Sequence, residues 1–285
     1  ELALGEEVTP RGSAFTIRQY AEDPFTPVDL VEYGTFSVEQ MAYFWLCIEH
    51  NKSLIFAGGT ASGKTTSMNA VSMFVPPRAK VLTIEDTREL SLYHDNWLSA
   101  VTRERRYEGT DIDMYDLLRS ALRHRPEYIV VGEVRGEEGR TAFQVMSTGH
   151  TTYTTFHADS VDEVLRRFTT DPINVSKSMF TALDLVCVQR STRIGGQRVR
   201  RNTSITEVNR YDPENDEITV KDVFRWRADA DAFEQSAESS ILEQIRRERG
   251  WSRHRLEASL RRQRRGGPHG RAGRRPLHHD HGQGA

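Results

Sequence analysis

The run Gly58-Gly59-Thr60-Ala61-Ser62-Gly63-Lys64-Thr65-Thr66 satisfies G-x-x-x-x-G-K-[ST] and follows the apolar stretch Leu54-Ile55-Phe56-Ala57. Each residue type has a task in binding phosphate. The glycines let backbone N–H groups wrap the phosphate oxygens, the Lys64 ammonium reaches the β and γ groups, and the Thr65 hydroxyl ligates Mg²⁺. Lys64 to Phe74 holds no proline or glycine and carries Met68, Val71 and Met73 at helical spacing, which predicts a phosphate held at a helix N-terminus. A chance glycine-rich turn would not match so many positions between a strand and a helix. The expected ligand is a nucleoside triphosphate with Mg²⁺.

Two more apolar runs end on carboxylates. Lys80-Val81-Leu82-Thr83-Ile84 ends on Glu85-Asp86, and Tyr128-Ile129-Val130-Val131-Gly132 ends on Glu133. The second run reads as a strand buried on both faces. Ligands bind at the carboxyl ends of strands in open α/β sheets, so these acids are site candidates. Glu133 could polarise a water that attacks the γ-phosphate, although many phosphate-loop enzymes place an Asp where Gly132 stands. A strand-end glutamate without a role is the alternative for Glu133, and a turn or cap residue the alternative for Asp86. Thr151 to Phe156 predicts a further β-branched strand, ending at His157.

The elements that position these residues follow from period and punctuation. Residues 12–20 alternate as a strand, and Pro24, Pro27 and Gly34 then mark a linker. Ser37-Val38-Glu39-Gln40 is a capping box opening a helix through Met41, Phe44, Trp45 and Ile48. Thr110-Asp111-Ile112-Asp113 predicts a second helix start, with Met114, Leu117, Leu118, Ala121 and Leu122 on one face and Pro126 beyond its end. Helices are expected over 137–146, 162–168, 176–183 and 237–249. A strand is expected over 185–189, and a hairpin over 198–210 and 217–225 around Asp212-Pro213-Glu214-Asn215-Asp216. Strand and helix alternate four times, which implies an α/β fold with a mainly parallel sheet flanked by helices.

No apolar run approaches the roughly 18 residues of a membrane span. Cys47 and Cys187 stand alone in apolar surroundings and are expected as reduced, buried thiols, which points to a cytoplasmic protein. The chain opens at Glu1 without a methionine, and its first residues are expected to be the end of a preceding domain. Residues 261–285 hold seven Arg against one Asp, leaving residues 1–260 at a formal −8 out of the total of −2. Nucleic-acid affinity is built from clustered Lys and Arg, so the acidic body argues against duplex DNA as the main partner. From Arg261 onward almost nothing is apolar and disorder is expected. The tail histidines, His269, His278, His279 and His281, read as low-complexity sequence rather than as a metal site.

Taken in order, the phosphate loop, Thr83-Ile84-Glu85-Asp86-Thr87-Arg88-Glu89-Leu90, Arg125-Pro126-Glu127-Tyr128-Ile129-Val130-Val131-Gly132-Glu133-Val134-Arg135-Gly136, and Thr148-Gly149-His150 with Phe156-His157-Ala158-Asp159 resemble the Walker A, Asp box, Walker B and His box of the secretion ATPase superfamily. That superfamily drives type II and type IV secretion, type IV pili and the archaellum, and the glycine before Glu133 is its usual variant. Tyr93-His94-Asp95-Asn96-Trp97 and the absence of a tetracysteine site resemble the archaeal branch. The resemblance implies a RecA-like core at 37–250, with residues 1–22 ending an N-terminal domain, 23–36 a linker, and 251–285 a helical then disordered basic tail.

It also implies ATP and Mg²⁺ as ligands, with Gly58 to Thr66 and Arg18 binding nucleotide and Thr65, Glu85 and Glu133 holding the metal. Glu133 becomes the catalytic base, Glu85 an Asp-box acid holding Mg²⁺ and water, and His157 the residue that approaches the γ-phosphate. His150 is read as structural. Arg103, Arg119, Arg123 and Arg135 match positions where family arginines stabilise γ-phosphate charge, sometimes from a neighbouring subunit. Arg119 and Arg123, four apart on a helix, read equally as a solvated face paired with Asp116.

The implied protein is a homo-hexameric motor at the inner face of the cell membrane, working on a polytopic platform protein without nucleic acid. A nucleic-acid translocase with a similar core is the alternative, disfavoured by the absence of a basic and aromatic stripe. A subunit that binds nucleotide without turnover is disfavoured because Lys64, Glu85, Glu133 and His157 are all present.

Overall fold

The computed structural model describes residues 2–3, 14–15, 23–103 and 111–265. Two short strands, β1 (Leu2–Ala3) and β2 (Ala14–Phe15), pair antiparallel. The segment expected as a linker carries a short helix, α1 (Pro27–Glu32). Its start is built by Thr26 and Asp29, which exchange side-chain and backbone hydrogen bonds, with Pro27 in the first turn. α2 (Val38–Glu49) opens on the predicted capping box: the Ser37 hydroxyl accepts from the Gln40 N–H at 3.2 Å, and Gln40 Oε1 accepts from the Ser37 N–H at 2.9 Å.

The remaining elements, in order, are β3 (Leu54–Gly58), α3 (Lys64–Val71) with a 3-10 turn at Ser72–Phe74, β4 (Val81–Glu85), β5 (Trp97–Val101), α4 (Met114–Arg123), β6 (Tyr128–Val134), α5 (Glu138–Ser147), β7 (Thr151–Phe156), α6 (Val161–Thr169), α7 (Lys177–Phe180), β8 (Leu185–Ile194), β9 (Gln197–Asp212), β10 (Glu217–Arg227), β11 (Ala232–Gln235), α8 (Ser240–Glu248) and α9 (Arg253–Arg265). One nine-stranded sheet has the order β11-β10-β9-β8-β3-β7-β6-β4-β5. The six strands from β8 to β5 run parallel, and β9, β10 and β11 extend the sheet antiparallel.

The central strands are apolar at successive positions because both of their faces are covered. Leu54 and Phe56 of β3 join Tyr128, Val130 and Tyr153 in a core with α2, α3 and α8. Ile55 and Ala57 join Ile129, Val131 and Phe156 in a second core with α4, α5, α6 and α7. Each fully buried Phe contributes about 2 kcal/mol of apolar transfer free energy. The β9 residue Glu207 is fully buried. It accepts from the Tyr43 hydroxyl at 2.8 Å, from the Ser239 hydroxyl and from the Ser240 N–H at 2.8 Å, which ties α2 and the start of α8 to the sheet.

Several expectations are corrected. The second cap is Asp113, whose Oδ1 accepts from the Asp116 N–H at 2.8 Å. Thr110 lies outside the described residues, and Ile112 is in an isolated bridge with Arg103. β5 and β11 were not expected, and β8 runs five residues past Gln189 to Ile194. Residues expected to be disordered from Arg261 onward are helical as far as Arg265, where α9 packs on α2 and Gln263 donates to Glu49 at 3.3 Å. Cys47 and Cys187 are free and buried, as expected.

Candidate nucleotide site

The order β8-β3-β7-β6-β4 sets the carboxyl ends of four motif-bearing strands side by side. Gly58 ends β3, His157 follows β7, Glu133 lies near the end of β6 and Glu85 ends β4. Neighbouring strands are about 4.8 Å apart, so Glu133 and Glu85 sit two and three strands from the loop. Thr155 on β7 donates to the Gly132 carbonyl at 2.7 Å, fixing the His157 strand against the Glu133 strand.

The phosphate loop has the backbone its glycines predict. Gly63 caps α3 at φ +94°, a left-handed conformation that a side chain disfavours. A Cβ on Gly58 would meet the Gln189 carbonyl oxygen at 2.3 Å and Ser62 Oγ at 2.6 Å. Lys64 donates to the Gly58 and Gly59 carbonyls at 2.8 and 3.0 Å. Burial lowers the Lys64 pKa, while the Glu133 and Asp159 charges act to raise it.

Glu85 is 1% exposed. Its Oε1 accepts from the Glu89 and Leu90 N–H groups, each at 2.9 Å, while Oε2 is buried without a hydrogen-bond partner among the described residues. Burial raises its pKa against the lowering effect of those two N–H groups. Gly132 packs close beside it, since a Cβ there would stand 3.3 Å from Glu85 Cγ and press on that side chain. A buried carboxylate oxygen with no donor suits a hard cation or a water held by one. Thr65, Glu85 and Glu133 are the residues that could hold such a cation.

Glu133 Oε2 accepts from Arg135 Nε at 2.9 Å and from Arg135 Nη2 at 2.5 Å, which raises the Arg135 pKa. The backbone after β7 is held from α6: Arg167 donates to the His157 carbonyl and lies 4.7 Å over the Phe156 ring. His150 stands at the other end of β7, bonded to Thr148 at 3.2 Å, on the opposite edge of the sheet from His157. Asp86 accepts from the Thr102 hydroxyl at 3.1 Å.

Arg119 and Arg123 make no contact with the phosphate loop or the strand-end acids among the described residues. Both are exposed on α4, Arg119 lies 5.5 Å over the Tyr115 ring, and neither pairs with Asp116 among the described residues. Arg18 lies outside the described residues. The nearby Pro24 and Phe25 line a pocket with Thr65, Thr66 and Asn69 of α3, so the chain before α1 does approach the phosphate loop.

Three contacts were not legible in the motifs. Asp159 Oδ1 lies 3.2 Å from where a Gly59 Cβ would be, Gln189 donates to Ser67 at 2.8 Å, and Arg200 Nε donates to the Ala61 carbonyl at 3.0 Å. Asp159 closes the quoted His box, and that placement is the one signal that could have marked it.

The type II/IV secretion system protein family matches residues 8–251. The chain belongs to that family. MJ1287 of Methanocaldococcus jannaschii is 48% identical over 77% of this chain and 82% of its own length. The probable conjugal transfer protein TrbB of Sinorhizobium fredii is 33% identical over 72% of this chain and 65% of its own. The crystal structure of the VirB11 ATPase from the Brucella suis type IV secretion system, in complex with sulphate, superposes with a TM-score of 0.51 at 25% identity. The match covers 67% of this chain and 60% of that one. This secretion-family chain thus has the RecA-like α/β sheet of the VirB11 ATPase, and its archaeal relative shares more identity with it than the bacterial ones do.

Proposed function

We propose that the chain is the ATP-hydrolysing core of a hexameric motor. The motor would power assembly of a type IV filament, a pilus or an archaellum, or type II/IV protein secretion, acting on a polytopic platform protein at the inner face of the membrane. The observation that carries this reading is the strand order that puts Lys64, Glu85, Glu133 and the residue after β7, His157, at one edge of the sheet, where a Glu85 oxygen has no hydrogen-bond partner among the described residues. No helix among the described residues is long and apolar enough to cross a membrane.

In this reading Gly58 to Thr66 cradle the phosphates and Lys64 leaves the loop carbonyls for the β and γ oxygens. Thr65, Glu85 and Glu133 would hold Mg²⁺, which would neutralise charge on the triphosphate. Glu133 accepts the proton of the attacking water. Arg135 occupies its Oε2, so that ion pair has to open or shift before this oxygen can take the proton. His157 then approaches the γ-phosphate from the adjacent strand end. Arg119 and Arg123, exposed on α4, would serve a neighbouring subunit rather than their own.

The test is steady-state hydrolysis with nucleotide binding measured in parallel. Glu133→Gln should bind Mg-ATP like the wild type and lose turnover by about 10²-fold or more, because an amide keeps the shape but accepts no proton. A variant that hydrolyses at the wild-type rate removes Glu133 from the chemistry. Stimulation by membranes carrying the platform protein, and none by single-stranded DNA, is the expected pattern; the reverse would favour a translocase.

A further inference from the structure

Beyond the core of the sheet, β8 and β9 continue as an antiparallel ribbon that closes at Gly195 and Gly196. Ser191 faces Arg200 and Arg193 faces Arg198 across it. Side chains alternate along a strand, so Ser191, Arg193, Arg198 and Arg200 share one face. That face looks onto the phosphate loop, because Arg200 Nε donates to the Ala61 carbonyl at 3.0 Å and Arg200 Cδ lies 3.0 Å from where a Gly63 Cβ would stand.

The arginines are arranged at a cost. Arg193 and Arg198 are directly opposed, and like charges so placed destabilise a ribbon. Arg190, Arg193, Arg198 and Arg200 are all exposed, and none forms an ion pair among the described residues. Residues 1–260 carry a formal charge of −8, so carboxylates are plentiful in the chain, yet none pairs with Arg193, Arg198 or Arg200 among the described residues. Arg200 uses only Nε in holding the loop, and neither of its Nη groups has a hydrogen-bond partner among the described residues. Ala61 itself is a non-glycine at φ +59°, a conformation that costs about 1 kcal/mol and needs its surroundings to hold it.

We propose that Arg200 is a nucleotide-binding residue of its own subunit. Its Nε sets the Ala61 carbonyl and with it the loop, and its remaining N–H groups place a second cation, beside Lys64, at the α- and β-phosphates of a nucleoside di- or triphosphate. The proposal rests on reading Gly58–Thr66 as the phosphate loop. It adds a cation that approaches the loop from outside and from the same chain, through a ribbon more than a hundred residues away in sequence.

The experiment is equilibrium binding of fluorescent ADP and ATP to the whole chain, at concentrations where sedimentation shows monomer. It compares wild type with Arg200→Ala, Arg200→Gln and Arg200→Lys, and checks each fold by circular dichroism. Because the α- and β-phosphates are common to both ligands, Arg200→Ala should weaken ADP and ATP by the same factor, about tenfold. Arg200→Lys, which keeps the charge, should bind better than Arg200→Gln, which keeps a donor for Ala61 but no charge. Unchanged affinity in Arg200→Ala would overturn the proposal. So would full affinity in Arg200→Gln, which would make Arg200 a prop for the loop, or a loss that appears only where the chain self-associates. A wild-type chain that binds neither nucleotide would overturn the phosphate-loop reading as well, so the two failures are distinguishable.

Discussion

At the scale of single residues the site is held in a costly arrangement. Lys64 and Glu85 are both buried, and burial moves the pKa of each toward its neutral form. For Lys64→Ala the expectation is a loss of about 2 kcal/mol or more in triphosphate affinity, since a charged donor to the β and γ groups is removed. Titration calorimetry showing equal affinity would sink the loop assignment. Glu85 gives a prediction with a pH dependence. Its folded pKa is raised, so the folded state binds the proton more tightly than the unfolded chain does. Stability is therefore highest below the ordinary carboxylate range and falls as pH rises through the raised value. Glu85→Gln should then melt higher than wild type at neutral pH in the absence of nucleotide and Mg²⁺, with the difference closing as pH drops below about 4. Thermal melts at both pH values check this. A variant that is no more stable at pH 7 would mean the carboxylate is already compensated.

Among the elements, the join between the sheet and its C-terminal helices depends on one carboxylate. Glu207 is buried in β9, and it satisfies Tyr43 on α2, the cap residue Ser239 and the Ser240 N–H at the start of α8. A carboxylate at a helix N-terminus is favoured by the dipole and the unpaired N–H groups there. Glu207→Ala would leave these donors buried and unpaired, so a loss of about 3 kcal/mol is expected in urea denaturation. Hydrogen exchange should show α8 losing protection before β3 and β6 do. A loss under about 0.5 kcal/mol, typical of an uncoupled surface position, would show that water replaces the carboxylate.

The whole molecule leaves surface for neighbours. β5 is an edge strand that exposes Leu98 and Val101, and Tyr93 is exposed before it. Arg119 and Arg123 are exposed on α4 and make no contact with the phosphate loop among the described residues. Arginines supplied in trans are worth on the order of 10³ or more in phosphoryl transfer. Specific ATPase activity should therefore rise at least about tenfold between nanomolar and tens of micromolar chain as subunits associate. Flat activity, with monomer throughout in sedimentation, would mean that each site is self-contained. Arg200 would then be the arginine to examine.

The sequence alone determined what is local. The loop from Gly58 to Thr66, the capping box at Ser37 and the apolar runs ending on Glu85, Glu133 and His157 are written within a few residues each. The φ of +94° at Gly63 favours glycine, a cap needs a short polar side chain, and a strand buried on both faces needs successive apolar residues. Strand order has no such local signature. Only the folded sheet decided that β7 lies between β3 and β6, so that His157 follows a strand set between the phosphate loop and Glu133. The same is true of Gln189 and Arg200, 122 and 139 residues from the atoms they bind. A hydrogen bond between distant segments exists because two packed faces meet there, and until the cores on both sides of the sheet are filled nothing in either segment announces the other.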